Sequence, residues 1–177
     1  MHLIAGTHPT KPASPVDESA RDERTSKSVA ISRKDAGDSN GSAALIADED
    51  AFFATFASES KVDEEKLRKA YFVKDGRPRI ALTKSKLGST EADRNRAVAT
   101  LLAGVRWYVD GKPAVGISEI RDAATAIPYE VTRNLAKQLE SVPGTMTVGA
   151  KNDKAVRVQS AKFDEPFNAL IERLIAS

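Results

Sequence analysis

Across residues 91–177 the spacing of apolar residues switches from a helical period to strict alternation and back again, and that order narrows the folds open to the chain more than any other feature. A long helix is predicted over 91–109, with Ser89 or Thr90 as N-cap and Val98, Leu101, Leu102, Val105, Trp107, Tyr108 and Val109 on a broad inward stripe. Arg94, Arg96 and Arg106 fall largely outside that stripe. Asp110-Gly111-Lys112-Pro113 ends the helix, because glycine suits the position after a helix and proline cannot continue one. A short helix follows, with Ser118 as N-cap and Ile117, Ile120, Ala124 and Ile127 at helical spacing. Ile127-Pro128 breaks it. Proline favours the first position of a helix, so a second one is expected over 128–140 with Val131, Leu135 and Leu139 facing inward. The period then drops to two in Thr145-Met146-Thr147-Val148 and Ala155-Val156-Arg157-Val158-Gln159, which predicts a hairpin with a basic tip. Phe163, Phe167, Leu170, Ile171, Leu174 and Ile175 outline a closing amphipathic helix, with Asp164 as N-cap and Pro166 in its first turn.

Long helix, short helix, tight turn, second short helix, two-stranded hairpin and closing helix together resemble the winged helix-turn-helix superfamily over 91–177. The expected fold class is mainly α with a small β-hairpin wing, over 145–159. The resemblance implies DNA binding, with the second helix of the turn in the major groove and the wing on backbone or minor groove. It makes 128–140 the recognition helix, with Tyr129, Thr132, Arg133, Lys137 and Gln138 exposed toward DNA. Arg133 and Gln138 have the chemistry for base edges and Lys137 suits a phosphate. In the wing, Lys151, Asn152, Lys154 and Arg157 would meet phosphate or the minor groove. Glu130 and Asp153 depart from this pattern, since their charges oppose phosphate.

Ahead of this region, residues 1–42 are rich in Pro, Ser, Asp, Lys, Arg and Gly and nearly free of large apolar side chains. Burial there could not offset the entropy of ordering, and a disordered tail is expected. Residues 43–90 read as a helical and hairpin lead-in. Leu45, Ile46, Phe52, Phe53 and Phe56 form its first apolar cluster, with Asp48 or Asp50 capping one helix and Asp63 capping a second that ends near Tyr71. An Asp75-Gly76 pair between two short apolar runs signals either a small hairpin over 71–82, which Pro78 would confine to an edge, or an ordered loop.

The charge is local. Residues 91–177 hold 12 Lys/Arg against 11 Asp/Glu, a difference of +1, whereas 66–86 hold eight cations against Asp75 alone, a difference of +7. Within that stretch Lys74, Arg77, Arg79, Lys84 and Lys86 are the candidate phosphate contacts, since neutralising phosphates releases counterions and gives affinity without sequence readout. Tyr71 and Phe72 beside them are read as core residues rather than base-stacking platforms.

Catalysis is not expected. The chain has no Cys, its two histidines, His2 and His8, lie in the presumed tail, and no glycine-rich phosphate loop follows a strand. The acidic runs Asp48-Glu49-Asp50 and Asp63-Glu64-Glu65 fit helix caps rather than metal ligands, so no cofactor and no metal are expected. Absence of cysteine fits a reducing cytoplasm, and neither a signal peptide nor an apolar membrane span is recognisable. The expected function is that of a bacterial-type DNA-binding protein or DNA-associated regulatory factor, acting on duplex DNA. The alternative is an adaptor or scaffold whose winged helix contacts a protein partner. A homodimer through the first or last helix would suit a half-site reader, although no heptad run specifies one.

Overall fold

The structure is a computed structural model that describes residues 45–129, 131, 134–150 and 153–176. The tail expected over 1–42 lies outside the described residues, as do Thr132, Arg133, Lys151 and Asn152. The described chain is mainly helical, with two small antiparallel sheets.

Helix α1 (Glu49–Ser60) starts where the Asp48 carboxylate accepts hydrogen bonds from the backbone N–H groups of Asp50 and Ala51, and α2 (Glu64–Ala70) where Asp63 accepts from Glu65. Both acids thus satisfy the orphan donors of a first turn. Strands β1 (Tyr71–Lys74) and β2 (Arg77–Ile80) follow. Asp75 and Gly76 between them both have positive φ, 52° and 66°, the backbone of a type I′ turn, whose twist matches that of the strands. This turn sets the register: Phe72 lies opposite Arg79, Val73 opposite Pro78 and Lys74 opposite Arg77. In a two-stranded ribbon every strand is an edge, which accommodates Pro78.

A single turn, α3 (Lys84–Leu87), leads to the central helix α4 (Glu91–Tyr108). Thr90 caps α4 by accepting from the Asp93 N–H while its hydroxyl donates to the Asp93 carboxylate. Ala97, Val98, Ala99, Leu101, Ala103, Gly104 and Val105 are all buried. The small ones let neighbouring helices come close; a Cβ on Gly104 would overlap the Phe167 ring. Arg106, expected outside the stripe, is only 5 % exposed. It lies inward because Asp110 and Glu119 pair with it.

A third short strand, β3 (Ala114–Gly116), runs into α5 (Ile117–Ala126). Gly116, not Ser118, occupies the N-cap position of α5. Among the described residues of the helix expected over 128–140, Pro128 and Tyr129 lie in a bend, Val131 is in no helix, and helical turns come only in α6 (Leu135–Gln138), which runs on into a 3-10 turn at Leu139–Ser141. Ile127 offers no side-chain oxygen to cap a helix starting at Pro128, and the Tyr129 N–H bonds back to the Ile127 carbonyl at 2.6 Å, a closure tighter than a helix allows. Tyr129 turns inward, where its hydroxyl donates to Asn95 Oδ1 at 3.0 Å.

Strands β4 (Thr145–Val148) and β5 (Ala155–Val158) form the expected hairpin, and β3 pairs with β5 to give a sheet ordered β3-β5-β4. The last helix, α7 (Ser160–Ala176), begins before Asp164, which is therefore not its N-cap, and Pro166 sits within the helix rather than in its first turn. Asp164 instead accepts a hydrogen bond from the Tyr108 hydroxyl at 2.6 Å.

One aromatic cluster joins the early and late elements. The Phe56 ring lies 5.2 Å from Tyr71, 6.1 Å from Tyr108 and 5.9 Å from Phe167, and Phe163 stacks on Phe167 at 5.8 Å. Residues 45–90 and 91–176 therefore share one core. Among the described residues no helix is long and apolar enough to cross a membrane.

Burial also raises the tyrosines' pKa. Tyr71 is pushed well above the usual phenol value, Tyr108 is raised by burial and by neighbouring Asp164, and Tyr129 is pushed up to about 12 by burial, with Arg94 pulling the other way. A raised folded-state value keeps stability intact below the unfolded pKa of about 10 and removes it as pH climbs toward the folded value. The fold is therefore expected to lose stability progressively from about pH 10 to 12, with phenolate absorbance rising together with the loss of helical circular dichroism. Full phenolate formation near pH 10 with intact dichroism would contradict this burial.

Candidate nucleic-acid interface

The basic stretch at 66–86 divides in two once folded. Its helical part is neutralised: Arg68 pairs with Glu64 and Asp50, Lys69 with Glu65, and Lys66 with Glu172 of α7. Arg68 also stacks 4.4 Å above the Phe53 ring. The hairpin and α3 carry the remainder. Lys74, Arg77, Arg79, Lys84 and Lys86 are exposed, and none has a carboxylate partner among the described residues.

Strand parity decides which side chains accompany these cations. Tyr71, Val73, Pro78 and Ile80 occupy the inner face of the ribbon, so Phe72, Lys74, Arg77 and Arg79 share the outer one. Phe72, expected in the core, is 42 % exposed. The other five phenylalanines and all three tyrosines are buried. Alternation counted outward from Asp75-Gly76 contains this result, because Phe72 and Lys74 are two residues apart on one strand.

The ribbon lines a cleft of about 1190 Å³ with Phe72, Lys74, Arg77 and Arg79 of its outer face and Pro78 and Ile80 of its inner one. Glu119 and Asp122 of α5, Asp110 and Lys112 after α4 and Asp153 before β5 line it as well, and Asp75 lines it beside the ribbon's cations. Arg106 closes the floor, its guanidinium 2.7 Å from Glu119 and 2.8 Å from Asp110. A smaller depression of about 690 Å³ adjoins it, sharing Ile80, Ala126 and Ile127 and bordered by Lys84 and Arg94. Arg94 is occupied there, donating to the carbonyls of Gly88 and Ser89. The exposed cations of ribbon and α3 thus flank the bend after α5.

The positions expected to read DNA fare unequally. Tyr129 is buried at 9 % exposure and bonded to Asn95, so it cannot reach a base as placed. Gln138 is half-buried and tied inward, its Oε1 accepting from Asn95 Nδ2 at 2.5 Å and its Nε2 donating to Glu91 at 3.5 Å. Lys137 is exposed on α6. Lys154 is half-buried, and its carbonyl accepts from the Ile117 N–H; Arg157 is exposed on the outer sheet face between Met146 and Ala114. Thr132, Arg133, Lys151 and Asn152 lie outside the described residues. Among the described residues no group of three or more His, Cys, Asp or Glu side chains could hold a metal ion, and the acids at 48 and 63 serve as helix caps.

No family model, no curated protein and no solved structure matches this chain.

Proposed function

We propose that this chain binds DNA, led by the β1-β2 ribbon and α3 rather than by a recognition helix, as a DNA-associated accessory or regulatory factor. The observation that carries the reading is the group of five exposed cations, Lys74, Arg77, Arg79, Lys84 and Lys86, without acid partners among the described residues. Element order over 91–176, with β3 added to the β4-β5 hairpin, supports a winged-helix reading of the scaffold. The bend at 128–129 and the single turn of α6 leave Lys137, read as a phosphate contact, as the exposed member of the expected recognition-helix set among the described residues. Affinity on this reading is mostly phosphate neutralisation, with weak sequence preference.

The test is binding of the full chain to a fluorescent duplex across a salt series, beside a Lys74→Ala/Arg77→Ala/Arg79→Ala variant. Each phosphate contact adds about 0.9 to the slope of log affinity against log salt, so the variant should lose about 2 to 3 from that slope and at least roughly tenfold in affinity at low salt. An unchanged variant, or no binding at low salt to this duplex or to its separated strands, would remove the proposal. One observation favours a protein partner instead: Glu119, Asp122 and Asp153 line the cleft beside the ribbon together with its cations, and their charges repel a polyanion. Failure to bind DNA would move the assignment to an adaptor with a partner of mixed charge.

A further inference from the structure

We infer that Phe72 is a stacking platform for an unpaired base, so that the ribbon prefers single-stranded DNA to an intact duplex; this rests on the DNA-binding reading above. An exposed phenylalanine on a two-stranded ribbon leaves apolar area in water for no gain in the core, and each of its outer-face neighbours is a cation. Arg79 stands directly across from it, and Lys74 and Arg77 form the next pair along the same face. Cations that track a phosphate chain beside an aromatic face that accepts bases are what a single strand needs, since every base has a π-face and stacking requires no particular sequence. A paired duplex offers phosphates to the cations but keeps its bases stacked on one another. Phe72 would gain contact with a duplex only by unstacking a step, at a cost of about a few kcal/mol. The adjoining cleft gives a splayed strand room beside the ribbon. Neither Tyr71 nor Tyr129 can serve this role. Tyr71 is 2 % exposed with its hydroxyl on the Leu101 carbonyl, and Tyr129 is held by Asn95.

The experiment compares affinity of the full chain for oligothymidylate and for a blunt duplex of equal length, in the wild type and in Phe72→Ala, Phe72→Leu and Phe72→Trp variants. Wild-type protein is expected to prefer the single strand. Alanine and leucine should each lose roughly tenfold on the single strand, the scale of one base–aromatic stack, while tryptophan retains affinity. Phe72 carries no charge, so the salt slope should not change, and duplex affinity should stay within about twofold. Leucine keeps apolar bulk and removes only the π-face, which separates stacking from support of the hairpin; thermal melts check that all variants fold. An alanine variant that binds the single strand as tightly as wild type, or that loses equally on both forms, overturns the stacking assignment and leaves the backbone reading standing. Absence of binding to either form overturns both.

Discussion

Replacing Phe56 with alanine is expected to lower folding stability by about 3–5 kcal/mol, the range for truncating a fully buried aromatic ring. Phe56 has no exposed surface, and its ring meets Phe52, Tyr71, Tyr108 and Phe167, which come from α1, β1, α4 and α7. The substitution leaves a cavity at the junction of four elements and also removes several tilted or stacked ring pairs, each worth about 0.5–1.5 kcal/mol beyond area burial. A fall in melting temperature of roughly 10–20 °C should follow. Since the ribbon hangs from this cluster through Tyr71, the proposed DNA binding should weaken together with the folded fraction. Phe72 next door is the control, because its truncation opens no cavity. A Phe56→Ala protein that loses less than about 1 kcal/mol in urea denaturation would show that α1 does not belong to the core.

Arg106→Ala should cost about 1–3 kcal/mol, by a different cause and discounted because solvent reaches Glu119. Its guanidinium is nearly enclosed and binds Glu119 through two nitrogens, at 3.0 and 2.7 Å, and Asp110 through a third, at 2.8 Å. The charge belongs at the C-terminal end of α4 and Glu119 in the first turn of α5, where each also meets a favourable helix dipole. Truncating the arginine leaves two carboxylates facing each other across the cleft floor with their shared counter-charge gone. Arg106→Met, which keeps much of the volume, should destabilise nearly as much, and adding Glu119→Gln should recover part of the loss. Equal stability of Arg106→Met and wild type would mean that packing, not charge, holds α4 to α5.

What could be read from the sequence was local. The Asp75-Gly76 turn sets its own backbone and with it a register of eight residues. Asp48, Asp63 and Thr90 cap helices through bonds to groups two or three residues away. What could not be read depends on distant partners. Ala114–Gly116 becomes a strand because β5 lies beside it, and three residues carry no period of their own. Tyr129 leaves the expected recognition helix for Asn95, 34 residues earlier, and Arg106 turns inward for Glu119, 13 residues later. The same rule governs the site. Counting charge over 66–86 treats Lys66 and Arg68 like Arg79, yet Glu172 and Asp50, which neutralise the first two, lie outside that window. The cations at 74, 77, 79, 84 and 86 were visible as composition, but their separation from the paired ones was not.

Contact of the ribbon and α3 with nucleic acid, as proposed, is tested by amide chemical-shift mapping of the isotope-labelled full chain titrated with DNA at low salt. The prediction is shifts concentrated at 72–79 and 84–86, reversed by added salt, with Glu119 and Asp122 little affected. Shifts confined to α6 and the outer face of the β3-β5-β4 sheet, or no shifts at all, would contradict it.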